Sequence, residues 1–389
     1  MYRKRLLRGG CMKKIFKRIS SAILLLVVLL LCVSGVCCFN ELRTLLSVSL
    51  VEGTDLYTME YYADYHFDDF LKTGASDNNE YYRYIDSMIN DNINGNLPGI
   101  EIKSSVRGTP TDRACSAFTF RNQDNNRFLA RNYDFKTNPV MLVVTAPKDA
   151  YKSISAVNMN LIGFNSERLP KRVDIKTFAA PYFPTDGVNE KGVSAAVLQV
   201  NYARKQKAAG KAPIGVFAAV RLVLDYADTV DNAVALIDKY NLYFDPAFMA
   251  HFIIADSSGQ SALVEFVNGK MYVIKSDKPY QMAANFNNME EKFDSDGYVF
   301  PELYKKWLAD SSVTAYEADK AGYVRYDFIY DSLYNRSGIL SLEEGFELLE
   351  NVASPDDLQY SVIYNLNTCE AVILTDNDWE KKITVALSK

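Results

Sequence analysis

The chain has 389 residues, 48% hydrophobic and 23% charged, with a net charge of −5. This is an ordinary globular balance for one large domain or two to three smaller ones, and it lacks the basic excess that nucleic-acid binding requires. With two histidines, His66 and His251, and six cysteines, a His/Cys zinc site is short of ligands and a disulfide framework is excluded.

Met1 to Ser20 carries eight Lys or Arg and no acid, and the 18 residues Ala22 to Phe39 carry no charge. A basic stretch ahead of an apolar one is an export signal. Eighteen residues are just enough to span a bilayer, with the basic flank on the cytoplasmic side. No small-x-small cleavage site stands out. Residues 1–39 are therefore expected to be a signal peptide or, preferably, an uncleaved signal anchor. The remainder then lies outside the cytoplasm, membrane-anchored or secreted. Four cysteines fall in this segment, leaving Cys115 and Cys369 in the exported part. These two are either a single pair or buried thiols.

Residues 40–114 read as a separate unit. Aromatic and apolar residues recur at helical spacing in "TDLYTMEYYADYHFDDFLKTG" and "NNEYYRYIDSMINDNING". The spacing predicts two helices packed on the main domain, with Gly74 and Gly95 as stops. "LPGIEIKSSVRGTPTDRA", 97–114, reads as an extended, exposed linker.

From Cys115 the pattern turns to strands. Cys115 to Arg121 and Arg127 to Tyr133 are two arms of a hairpin around the polar turn 122–126. Further strands are expected at 141–147 and 192–202, the latter after the turn "TDGVNEKG", with "SISAVNMNLIGF" strand or mixed. Helices follow at 214–226 and 229–240, the second capped by Asp228 or Thr229. A three-stranded meander is expected over 251–277 and two more strands in "YSVIYNLNTCEAVILTD". Between them come helices near 326–334 and at 341–352, where Ser341 and Glu344 form a capping box. Segregated runs of strands and helices predict an α+β layered fold, antiparallel sheets covered by helices. No dinucleotide or P-loop glycine motif appears.

Cys115 is the candidate nucleophile. Histidine is a poor base for it: His251 begins an apolar strand and reads as a packed strand residue, and His66 has no assigned role. The remaining base is the α-amine of Cys115 itself, freed by a cut between Ala114 and Cys115. A free α-amine titrates near roughly 7.7–8.0, close to working pH. This accounts for a nucleophile so far into an exported chain. Arg131 and Asp134 lie 16 and 19 residues after the thiol, so the hairpin returns both beside it. Arginine favours a thiolate, and a carboxylate can orient the ammonium. The alternative is a surface Arg–Asp pair closing the hairpin.

"CSAFTF…FLARNYDF" resembles the opening of the choloylglycine hydrolase (linear amide C-N hydrolase) family, the N-terminal-nucleophile enzymes that include bile salt hydrolases and penicillin V acylases. It is also similar to N-acylethanolamine acid amidases and acid ceramidases. "DGVNEKGVSAAVLQ", "MAANF" and "AGYVRYDFIYDSL" continue the likeness in order to the C-terminus. The resemblance implies a four-layer αββα amidase domain over 115–389, preceded by a helical propeptide or small subunit at 40–114 and the N-terminal membrane segment. It implies Cys115 as nucleophile, Arg131 and Asp134 setting its protonation and orientation, and Asn285 donating its amide to an oxyanion. The backbone N–H of Gln199 would be the second donor, Asn201 a lesser candidate, and Arg325 an electrostatic support. Taken alone, Asn285 reads as a turn residue and Arg325 as a solvated helix charge. At the Gln199 position bile salt hydrolases usually carry Asn and penicillin V acylases Tyr, so glutamine matches neither.

The expected activity is hydrolysis, without cofactor or metal, of an N-acyl amide of fatty-acid or N-acylethanolamine type. The alternatives are a conjugated bile salt or a penicillin V-like amide. The aromatic helices before Cys115 would then lie at the membrane interface. Acyl transfer and the oligomeric state, a homo-oligomer included, stay open. The rival from another class is a non-catalytic surface protein that is never cut.

Overall fold

The computed structural model describes residues 39–92, 115–135, 139–171, 173–200, 202–205, 207–246, 248–288 and 322–387. The expected anchor, the linker with its cut site, Gly95 and Asn201 lie outside the described residues. Among the described residues no helix is long and apolar enough to cross a membrane.

Two sheets organise the chain. The larger has nine strands in the order β1-β2-β5-β6-β7-β8-β11-β12-β13. These are β1 (Ser49–Leu50), β2 (Leu56–Tyr61), β5 (Val140–Thr145), β6 (Ser153–Asn158) and β7 (Asp186–Asn189). Then come β8 (Val193–Gln199), β11 (Ala250–Asp256), β12 (Ser261–Val267) and β13 (Lys270–Lys275). The smaller has six, in the order β14-β3-β4-β15-β16-β17. They are β14 (Met282–Ala283), β3 (Ser116–Arg121), β4 (Arg127–Asp134), β15 (Leu358–Asn365), β16 (Glu370–Thr375) and β17 (Ile383–Ala386). A short parallel pair, β9 (Pro213–Ile214) and β10 (Asn241–Leu242), stands apart.

The helices are α1 (Phe39–Ser47), α2 (Phe67–Thr73), α3 (Asn78–Asn92), α4 (Val216–Tyr226), α5 (Val230–Asp238), α6 (Tyr323–Asn335) and α7 (Leu342–Asn351). One core lies between the sheets, where Ala117 and Leu129 of the smaller meet Leu142, Ala196 and Ile253 of the larger. On its other face the larger sheet packs against α4 and α5. The smaller sheet packs its outer face, through Phe118, Phe120 and Ala130, against Ile329 and Leu333 of α6 and Phe346 and Leu349 of α7. The fold is therefore mixed α+β, with sheets covered by helices as expected. Strands β5 to β8 are buried on both faces, which is why they read as apolar runs rather than alternations. The edge strand β13 is exposed at both terminal lysines, charges that blunt an edge.

Local signals held where they were strongest. The 116–134 hairpin pairs in register, Ala117 opposite Arg131, and Ser341 and Glu344 form the full capping box of α7. Two readings change. The stretch 186–189 is a strand rather than part of a turn; the turn to β8 is left to 190–192. Residues 56–61, read as helix, form β2, which pairs in parallel with β5 over six residues. Leu56, Met59 and Tyr61 are buried there.

The region before Cys115 is thus partly strand, and after α1 helix resumes only at Phe67. It stops at Gly74, whose φ is 67° and where a Cβ would lie 2.1 Å from the Pro213 carbonyl oxygen. Its aromatic residues are interior. Tyr61, Tyr65, Phe67, Phe70 and Tyr81 are buried against Phe178, Tyr182 and Phe183. Tyr81 donates to the Tyr182 carbonyl at 2.7 Å and Tyr65 to Asp225 at 2.9 Å. Each such ring contributes about 1.5–3 kcal/mol by burial. They are not available as a membrane-facing surface.

Candidate active site

Cys115 lies one residue ahead of β3, at the end of the hairpin where β4 delivers Arg131 and Asp134. All three are buried, Arg131 and Asp134 completely. Burial pushes the Cys115 thiol up; the guanidinium of Arg131 and the amide N–H of Asp134 pull it down, and the Asp134 carboxylate opposes them. Cys115 and Cys369 are both free thiols, so the single disulfide left open by the sequence is absent.

Arg131 is not an exposed partner of Asp134. Its Nη1 donates to Asp186 at 2.6 Å and to the Thr185 carbonyl at 2.7 Å, and its Nη2 donates to the Val197 carbonyl. Among the described residues its Nε makes no close hydrogen bond. Burial would lower the guanidinium, but the charge of Asp186 holds it above its ordinary value. Asp186 is in turn fixed by Tyr360 and Tyr364, each donating at 2.5 Å. The Tyr133 ring lies 4.7 Å under the guanidinium and stacks on Tyr360 at 5.1 Å. This buried acid and its tyrosines are residues that sequence reasoning missed. Asp186 sits in a stretch read as a turn, and its partners are 174 and 178 positions away.

Asp134 is in the opposite condition. Among the described residues neither of its buried carboxylate oxygens makes a close hydrogen bond. Burial pushes the carboxyl up to about 8, against the charge of Arg325 and the nearby Ser354 amide. An unbonded buried carboxylate is costly unless a cation or donor meets it.

On the other side of Cys115, Arg325 projects from the first turn of α6. Its Nη1 donates to the Cys115 carbonyl at 3.0 Å and its Nη2 to the Asn285 side-chain oxygen at 3.2 Å. Asn285 follows β14 and donates through Nδ2 to the Gln199 carbonyl at 2.8 Å. Arg325 is therefore buried against Cys115 and Asn285 rather than a solvated helix charge. The contact with Gln199 is to its carbonyl, and the Asn285 amide keeps a second N–H. Cys115, Arg131, Asp134, Asn285, Arg325 and Gln199 converge at one end of the interface between the two sheets. His66 precedes α2 at its N-cap position without a side-chain cap bond, and His251 is a buried strand residue as expected. Among the described residues no group of His, Cys, Asp and Glu could hold a metal ion.

A buried thiol flanked by two arginines, a carboxylate and an amide donor, on a mixed α+β frame, holds the groups that nucleophilic acyl chemistry requires. Residues 115–295 match the family model of linear amide C-N hydrolases, choloylglycine hydrolase family. The likeness read from the motifs is thereby shown over that segment, which begins at Cys115 itself. A curated penicillin V acylase from Pectobacterium atrosepticum is 34% identical over 125 residues, which is 29% of this chain and 33% of that protein. The match thus spans a third of the relative's length.

Among solved structures, penicillin V acylase from Agrobacterium tumefaciens superposes with a TM-score of 0.49 at 18% identity, covering 70% of this chain and 86% of that one. A variant of the conjugated bile acid hydrolase from Clostridium perfringens gives 0.48 at 15% identity, covering 70% and 92%.

Proposed function

We propose that this chain is an N-terminal-nucleophile amidase of four-layer αββα type, in which a cut between Ala114 and Cys115 frees the α-amine that activates the Cys115 thiol. One observation carries the reading: among the described residues neither oxygen of the buried Asp134 carboxylate, beside Cys115, makes a close hydrogen bond, and burial outweighs the pull of Arg325 and the Ser354 amide. A new ammonium at Cys115 is the group that would meet them. The start of the family match at Cys115 supports the same cut.

The chemistry then balances. The Cys115 α-amine takes the thiol proton, and Sγ attacks the amide carbon. The tetrahedral oxyanion accepts from the free N–H of Asn285, with a backbone N–H at Gln199 as second donor; such donors are worth roughly 3–4 kcal/mol each. The C–N bond breaks as the ammonium returns its proton to the leaving amine. Water, deprotonated by the same amine, then cleaves the thioester to acid and free thiol. Arg131 stabilises the thiolate, with Nε as its unspent donor. Arg325 holds Asn285 and the Cys115 carbonyl in place.

The substrate is a linear N-acyl amide with an apolar acyl part. Phe286, next to Asn285, stacks with Tyr323 at 4.3 Å and meets Tyr326 at 5.1 Å, and this aromatic cluster supports an apolar group there. A fatty N-acyl amide, of N-acylethanolamine type, is the first candidate. A penicillin V-like amide is the second, favoured by the curated relative. Residues 40–114 would stay bound as a small subunit, and the segment 22–39 would anchor the enzyme with its site outside the cytoplasm. The test is amine release from a panel of long-chain N-acyl amides, penicillin V and conjugated bile salts. Release that is lost in Cys115→Ser supports the reading. No release from any member, by protein cut at Cys115, overturns it.

A further inference from the structure

The segment 284–288 carries Asn285 across from the smaller sheet to the larger one. It leaves β14, which pairs with β3; α6 holds it from one side through Arg325 and Tyr326, and four contacts hold it to the larger sheet or the chain just beyond it. Asn285 reaches the Gln199 carbonyl at 2.8 Å, and Asn287 the Tyr202 carbonyl at 2.6 Å. The other two contacts frame the segment. His251 Nε2 meets the Ala284 carbonyl at 2.9 Å, and Glu265 Oε1 accepts the Asn288 backbone N–H at 2.8 Å.

His251 and Glu265 are neighbours across β11 and β12, one step beyond the Phe252–Val264 pair. Their side chains approach at 3.4 Å and neither is exposed to solvent. A carbonyl oxygen only accepts, so Nε2 carries the hydrogen in this contact. The Nδ1–Oε1 approach then needs one proton on either partner, which couples the two contacts into a unit.

We infer that the buried His251–Glu265 pair is a positioning device for Asn285, clamping both ends of the segment that carries it so that its free N–H meets the oxyanion. The inference rests on the role of Asn285 proposed above. A packed histidine with only a structural role would need neither the bond to residue 284 nor a partner bound to residue 288. Displacement of a catalytic donor by about 1 Å costs up to about 10²-fold in rate, so loss of the clamp appears in kcat rather than KM.

The experiment is a double-mutant cycle with the processed enzyme and its best amide substrate. His251→Leu is expected to lower kcat by about 10- to 10²-fold at nearly constant KM. In an Asn285→Ala background the same change should have almost no further effect, because it acts through Asn285. His251→Gln keeps a donor near the Nε2 position and should recover most of kcat. His251→Asn, whose amide is too short to reach Ala284, should not. If the leucine variant does not fold, the Gln–Asn pair carries the comparison. Equal kcat in those two, or equal effects of His251→Leu in both backgrounds, overturns the inference. An unchanged kcat in Asn285→Ala overturns the oxyanion reading itself, a separable result.

Discussion

The continuous chain buries an acid more deeply than the nearby arginines compensate, and this has a measurable consequence. Asp134 is wholly buried, its oxygens make no close hydrogen bond among the described residues, and its carboxyl is pushed up to about 8 from an ordinary 3.8. Between those values the folded chain holds a proton that the unfolded chain has released. Stability is therefore greatest at acidic pH and falls as pH rises toward 8. At ~1.4 kcal/mol per pH unit, the fall from this group alone approaches roughly 5 kcal/mol.

The perturbation is Asp134→Asn, placed in a Cys115→Ala chain confirmed by mass to be uncut. Urea unfolding at about pH 5 and about pH 8 should show the parent losing several kcal/mol more than the asparagine variant. In processed protein the ammonium of Cys115 supplies the missing partner, and the difference should largely vanish. Identical pH slopes for parent and variant would refute the reasoning, because Asp134 would then not be an unpaired buried acid.

Other expectations follow from the same geometry. Cys115→Ser should reduce kcat/KM by more than ~10³-fold, read by amine release, since removing a nucleophile removes the covalent route. Asn285→Ala should lower kcat by roughly 10²–10³-fold with little change in KM; a KM effect alone would make Asn285 a binding residue. Asp186→Ala leaves the buried Arg131 without its carboxylate and should cost about 3–5 kcal/mol in denaturant unfolding. After the cut, the piece containing 44–92 should co-elute with the piece beginning at Cys115 under native conditions and separate only in denaturant, because β2 is a strand of the larger sheet. Native separation would show that these contacts do not hold the pieces together.

Much of this was legible because it is local. The hairpin, the offsets of 16 and 19 residues from Cys115, the 251–275 meander and the α7 capping box are all short-range patterns. What stayed hidden depends on distant partners. Arg131 was foreseen beside the thiol, but its tether to Asp186, Tyr360 and Tyr364 joins three segments of the chain. "LYTMEY" at 56–61 was taken for helix because its aromatics continue into a truly helical stretch. In fact it pairs in parallel with β5, in a sheet whose strands other than β1 and β2 lie after Cys115. With those rings buried, the expected aromatic membrane face disappears. His251 was read correctly as packed, but its bond to Ala284, 33 positions on, cannot be seen from a strand pattern.

The central claim is that Cys115 works as an N-terminal residue, and its most direct test is the N-terminus of the active species. Intact mass and N-terminal sequencing, run on the fraction that releases amine, should find a chain that begins at Cys115. Blocking the cut by substitution around Ala114 should leave folded protein without activity. Full activity from protein whose Ala114–Cys115 bond is intact would contradict the account, since an amide nitrogen cannot take the thiol proton.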